Sequence, residues 1–157
     1  MTEHQFDEPT IQDLEAQHLA VVREKVAFDA IPQLYDRAYP LIFGALAEAG
    51  ITPAAAPMGV MHGDMSEGLD LSVAVPVAEP FSGAGEVVGE RLPAGRAATL
   101  LVRGDFSLLS AAYEHLYGWV MAHGHTPGDV AFEQYLTEPE PGGDPALNET
   151  LIAVMLA

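Results

Sequence analysis

The chain has 157 residues, is 49% hydrophobic, lacks cysteine, and sets 6 Lys or Arg against 23 Asp or Glu for a formal net charge of −17. That length suits one ordinary domain, or two small related halves sharing a core, and buries about 70% of the unfolded surface without a metal or disulfide staple. Zero cysteines exclude thiolate nucleophiles and cysteine-ligated zinc, and Arg23, Lys25, Arg37, Arg91, Arg96 and Arg103 are too scattered to hold a phosphate backbone.

In chain order, residues 1–14 are expected to be a loose N-terminal segment. Val22, Val26 and Phe28 mark a first strand. Ile31, Leu34, Tyr35, Ala38, Leu41, Ile42, Ala45, Leu46 and Ala49 then follow the helical period. Asp29 is the expected N-cap, Pro32 suits the first turn, and Gly50 suits the position just past the end. Pro40 inside that helix removes a backbone bond and predicts a bend. A strand through Met58 and Met61 and another through Leu69, Leu71, Val73 and Val75 follow, and residues 79–90 supply a connection with a short strand at 86–90. Ala98, Leu100 and Val102 form the next strand. A second helix follows, capped by Asp105 or Ser107, with Leu108, Leu109, Ala112, Tyr113, Leu116 and Val120 on its buried side and Gly124 at its end. Strands at 132–136 and 151–156 flank a Pro- and Gly-rich loop at 139–145.

The chain also repeats itself. Gly50-Ile51-Thr52-Pro53 and Gly124-His125-Thr126-Pro127 match at an offset of 74 residues, and the same register pairs Leu34 with Leu108, Ala38 with Ala112, Tyr39 with Tyr113, and Gly44 with Gly118. Pseudo-repeats at about 15–79 and 86–157 therefore make up one domain, 15–157. The predicted fold is α+β: a tandem βαββ repeat in a mainly antiparallel sheet, two helices on one face, and a ligand groove between the halves.

Phe132-Glu133-Gln134-Tyr135-Leu136 is the most informative local run. A carboxylate interrupts an apolar strand and shares a face with Tyr135. In a closed groove, a cationic aromatic ligand would favour the charged carboxylate and gain from flat π surface. A half-exposed strand with Glu133 in water fits the local pattern equally. Tyr39 and Tyr113, at matching helix positions, could frame the groove or be plain core. Met58 and Met61 could supply an adaptable apolar wall or simple packing. Trp119 reads as packing. His123 and His125 flank a helix end, where imidazoles satisfy carbonyls without metal, and His62 with Asp64 has no evident third ligand. No metal and no cofactor are expected. No GxSxG elbow occurs, and Gly83-Ala84-Gly85 and Pro141-Gly142-Gly143 are turn chemistry rather than phosphate loops.

In their order and spacing, Val21-Val22-Arg23, Ile31-Pro32, Leu92-Pro93-Ala94-Gly95-Arg96-Ala97-Ala98, Val102-Arg103-Gly104-Asp105-Phe106, Ala112-Tyr113, Phe132-Glu133-Gln134-Tyr135-Leu136 and Thr150-Leu151-Ile152 resemble the GyrI-like domain. That is the effector-binding domain of AraC- and MerR-type regulators, also found free-standing, and the resemblance covers about residues 15–157. It implies a tandem βαββ fold and binding of bulky lipophilic, often cationic compounds by a buried glutamate among aromatic rings. The family's glutamate falls on Glu133 and its following tyrosine on Tyr135. The family often has Trp where Phe132 stands, and His with Gly-Pro-Tyr where Arg103-Gly104-Asp105-Phe106 stands. With so few residues ahead of the domain, no helix-turn-helix is expected.

Three functions follow from the residues and the resemblance together. The first is a cytoplasmic, stand-alone binder of lipophilic, cationic aromatic compounds, in multidrug sensing or sequestration, with Glu133, Tyr135, Phe132, Tyr39, Tyr113, Met58 and Met61 as ligand-binding residues. The second is a hydrolase opening cyclopropane rings of DNA-alkylating natural products, with Glu133 as general base and Tyr135 as hydrogen-bond donor. The third is an interaction module resembling gyrase inhibitors, its acidity opposing a basic partner, either gyrase or a regulator. None requires direct contact with nucleic acid or a membrane, and a monomer or a homodimer would serve.

Overall fold

The computed structural model describes residues 6, 8–63, 69–104, 108–137 and 148–157. Within it the apolar period of the first helix is realised as α1 (Ile31–Ala49), which buries Leu34, Ala38, Ile42 and Leu46. Pro32 lies in its first turn, where a missing N–H removes an orphan donor. Gly50 closes it at φ 70°, its N–H donating to Ala47 O and that of Ile51 to Leu46 O. Two expectations at the helix start are corrected. A three-residue 3₁₀ turn, Phe28–Ala30, precedes α1, so Phe28 ends no strand. The N-cap is Ala30, without a side-chain cap bond, rather than Asp29. The helix runs on through Pro40.

The chain divides into two compact units, residues 15–94 and residues 1–14 with 95–157. In the first, β2 (Gln17–Val26), β3 (Met58–His62), β4 (Leu69–Val77) and β5 (Val88–Leu92) form an antiparallel sheet in the order β5-β2-β4-β3. Helix α1 packs against β2 and β4 over Ala20, Val22, Leu71, Val73 and Val75. Leu19, Val21, Met58, Val60 and Ala74, on the other face of the pleat, are buried as well.

The second unit repeats this order of elements. Its strands β1 (Thr10–Leu14), β6 (Gly95–Arg103), β7 (Pro127–Tyr135) and β8 (Glu149–Leu156) are antiparallel in the order β1-β6-β8-β7, and α2 (Leu109–Ala122) packs on β6 and β7 through its buried Ala112, Leu116 and Val120. Both units thus run strand, helix, strand, strand, as β2-α1-β3-β4 and β6-α2-β7-β8. Residues 10–14 are not loose: β1 pairs with β6, and Thr10 Oγ1 lies 3.0 Å from Thr99 Oγ1, giving that buried hydroxyl a partner. Strand β7 begins five residues earlier than the apolar run suggests, with a register irregularity between Pro127 and Ala131. Asp64, the capping Asp105 and Ser107, and the loop 139–145 lie outside the described residues. No helix among the described residues is long and apolar enough to cross a membrane.

Candidate functional site

Glu133 sits on β7 opposite Ile152 of β8, and the pleat places Tyr135 on its face. That face is the one toward α2, because Tyr113 of α2 donates its phenolic O–H to Glu133 Oε1 at 2.9 Å. Tyr135 donates to Oε2 at 2.8 Å. Each carboxylate oxygen therefore accepts one phenol. All three side chains are half-buried. A carboxylate can accept at about four lone pairs, so two donors leave capacity for a third partner. Tyr117, one turn beyond Tyr113, extends the aromatic surface with ring centroids 6.4 Å apart. Burial pushes the Tyr117 phenol above the usual tyrosine range, which keeps it neutral. The trio is a negative charge held in place by two neutral donors beside aromatic rings.

The other four expected residues lie on β7 itself and in the 15–94 unit. Phe132 is buried and, by alternation, on the opposite face of β7 from Glu133. Tyr39, Met58 and Met61 belong to the 15–94 unit. There Tyr39 stacks between Tyr35 and Phe43 at centroid distances of 5.6 and 6.1 Å and donates its hydroxyl to the Met58 carbonyl at 3.3 Å. Met58 is fully buried, while Met61, three residues on, packs against the core beneath α1.

Sequence reasoning missed a polar cluster in the 15–94 unit. His62 Nε2 lies 3.0 Å from Ser72 Oγ, Ser72 donates to Glu90 Oε2 at 2.8 Å, and Arg23 bridges Asp70 and Glu90 at 2.8 and 3.2 Å. The signal was Ser72 itself, a hydroxyl inside the apolar run Leu71-Ser72-Val73 that had to find a buried partner. Serine, histidine and glutamate here do not form a nucleophilic triad. Nε2 of His62 faces both Ser72 and Glu90, whereas a triad uses one ring nitrogen for each, and Ser72 is closed to solvent. Burial raises the Glu90 pKa, but the His62 and Ser72 hydrogen bonds and the Arg23 charge outweigh it and hold the carboxyl below its ordinary value. Asp70 is likewise held low, chiefly by its Arg23 hydrogen bonds.

At the end of α2, His123 Nδ1 lies 2.8 Å from the Trp119 carbonyl oxygen and its ring stacks on the indole at 4.2 Å. The Trp119 Nε1–H is buried and has no hydrogen-bond partner among the described residues. No group of three or more His, Asp or Glu side chains among the described residues is arranged to hold a metal ion.

The model of one family, the GyrI-like small molecule binding domain, matches residues 7–157. No curated protein sequence matches the chain. Among solved structures, the C-terminal domain of EcmrR superposes with a TM-score of 0.82 at 20% identity, covering 96% of this chain and 97% of that one. In the EcmrR–DNA complex the match covers 95% of this chain but 57% of the EcmrR chain, with a TM-score of 0.80 at 20% identity. SAV2435, solved with bound tetraphenylphosphonium, gives 0.71 at 13% identity over 96% and 94% of the two chains. A hydrolase encoded by lin2189 from Listeria innocua gives 0.66 at 11% identity over 96% and 92%. At these identities the likeness is one of fold.

Proposed function

The chain belongs to the GyrI-like small molecule binding domain family, and from that premise we propose that it binds lipophilic, cationic aromatic compounds at Glu133. The observation that carries this reading is the carboxylate fixed by Tyr113 and Tyr135, one hydroxyl on each oxygen, next to aromatic surface. Hydroxyls spent on the carboxylate leave a site with net negative charge, which repels anions and draws cations. Flat rings on the ligand gain from the tyrosine faces. The neighbour solved with tetraphenylphosphonium, a lipophilic cation, agrees in chemistry.

Tetraphenylphosphonium is accordingly the probe, titrated by calorimetry into the wild-type chain and Glu133→Gln. A unit charge about 5 Å from the carboxylate at an effective dielectric of about 20 to 40 interacts by about 2–3 kcal/mol, and desolvation cancels part of it. The expected loss on Glu133→Gln is about tenfold in affinity. Equal affinity in both proteins refutes the charge role.

A second reading, ring-opening hydrolysis, uses the same trio: Glu133 takes a proton from water as the water oxygen bonds a cyclopropane carbon, the strained C–C bond breaks toward the conjugated carbonyl, and the proton reaches that carbonyl oxygen through a tyrosine hydroxyl turned from the carboxylate. The carboxylate–phenol pairing favours it, since base and donor already meet in one place. Incubation with an electrophilic cyclopropane natural product separates the two. Product formation abolished in Glu133→Gln supports catalysis, and binding without product supports the first reading.

A further inference from the structure

Glu90 pairs with Leu19 across the β2–β5 register, whereas Ser72 pairs with Arg23 across β2–β4, two strand spacings away and four residues further along. In a flat sheet the two α-carbons would stand about 16 Å apart, more than a serine, a glutamate and a hydrogen bond can span. Ser72 nevertheless donates to Glu90 at 2.8 Å. The sheet therefore curls so that β5 folds toward β4 and β3, and Glu90 is the side chain that reaches across. Strand β5 is otherwise held by its five-residue ladder to β2, by the buried Leu92 and Val87 at its ends, and by the backbone of Phe81 lying close against Gly89, while Val88 and Arg91 are exposed.

Glu90 is faced by Arg23 from β2, by His62 from β3, and by Ser72 from β4. Asp70 of β4 shares Arg23, and Lys25 of β2 lies near Asp70. The ionised carboxylate accepts from Ser72 on one oxygen and pairs with Arg23 on the other, each as a charge-assisted bond. A proton taken from solvent removes the ion pair and occupies one oxygen.

We propose that Glu90 is a charge-operated latch, holding β5 across the sheet when ionised and letting β5 detach on protonation while β2, β3 and β4 stay paired. Strand β5 is the last of its unit, and Pro93-Ala94 leads directly from it into β6 of the other. The latch thus acts on the strand next to the covalent crossing between them, and it involves none of the Glu133 trio.

Hydrogen exchange of the full chain, followed by NMR from pH 6.5 to 3.5, tests this. In the wild type the protection of β5 amides relative to those of β4 is expected to fall by roughly threefold, and by no more than about tenfold, as pH drops below the ordinary carboxylate range. Glu90→Gln should show low β5 protection at every pH. Ser72→Ala, which takes one donor from the carboxylate, should move the fall to higher pH. Parallel loss of protection in β5 and β4, or a wild-type pH response in Glu90→Gln, overturns the proposal. Should Glu90→Gln not fold, an undisplaced fall in Ser72→Ala overturns it alone.

Discussion

Replacing Tyr113 with Phe deletes one oxygen and leaves the ring, so packing of α2 on β7 is preserved while the 2.9 Å bond to Glu133 Oε1 is lost. A hydrogen bond to a charged group contributes about 1.5–3 kcal/mol when buried. Here both side chains are half-buried and water replaces part of the bond, which brings the expected cost to about 1 kcal/mol. A double-mutant cycle with Glu133→Gln isolates the charge. A phenol can donate to the glutamine oxygen or accept from its amide, so a neutral bond about half as strong survives in that background. Tyr113→Phe should therefore cost about half as much in the Glu133→Gln background, a coupling of about 0.5 kcal/mol. Urea unfolding followed by circular dichroism supplies the numbers, with unchanged m-values required for the comparison. Equal cost in both backgrounds would refute the idea that Tyr113 positions the carboxylate.

Other outcomes follow from backbone and charge. A Cβ added at Gly89 would lie 2.1 Å from the Phe81 carbonyl oxygen, so Gly89→Ala must displace backbone. A loss of about 2–4 kcal/mol in urea unfolding is expected, and a neutral result would mean residues 81 and 89 are not in contact. Asp70 and Glu90 stay ionised at pH values where the unfolded chain is already taking up protons. Their contribution is complete above the ordinary carboxylate range and drains away as pH falls through the lower native values. Arg23→Gln, which removes the cation from both, should flatten that acid limb in a pH series of urea midpoints. At neutral pH it should cost no more than about 1 kcal/mol, because Arg23 is 45% exposed.

Much of this was legible in the residues. Helix α1 announces itself through apolar period, Pro32 and Gly50, since all three signals are local. Glu133 and Tyr135 were placed together by the two-residue pleat alone. The same pleat separates Phe132 from them, a consequence its aromatic character obscured. The bond from Tyr113 to Glu133 joins residues 20 apart on different elements, and no local pattern encodes it. Strand β1 was illegible for a related reason: Thr-Ile-Gln-Asp-Leu has little apolar alternation, and its partner β6 lies more than 80 residues away. The N-cap failed because the 3₁₀ turn took up Asp29 before the helix began.

The stack of Trp119 on His123 turns the chain's single indole into an intrinsic optical reporter. Unfolding separates the imidazole from the indole, held 4.2 Å apart in the fold, and exposes the ring to water, so indole emission should report denaturation. Tyr113 and Tyr117, on the same helix and about 9 Å and 3 Å of axial rise upstream, are natural energy donors to it. A dye occupying the surface beside Glu133 would intercept that transfer, so one excitation wavelength could follow folding and occupancy together.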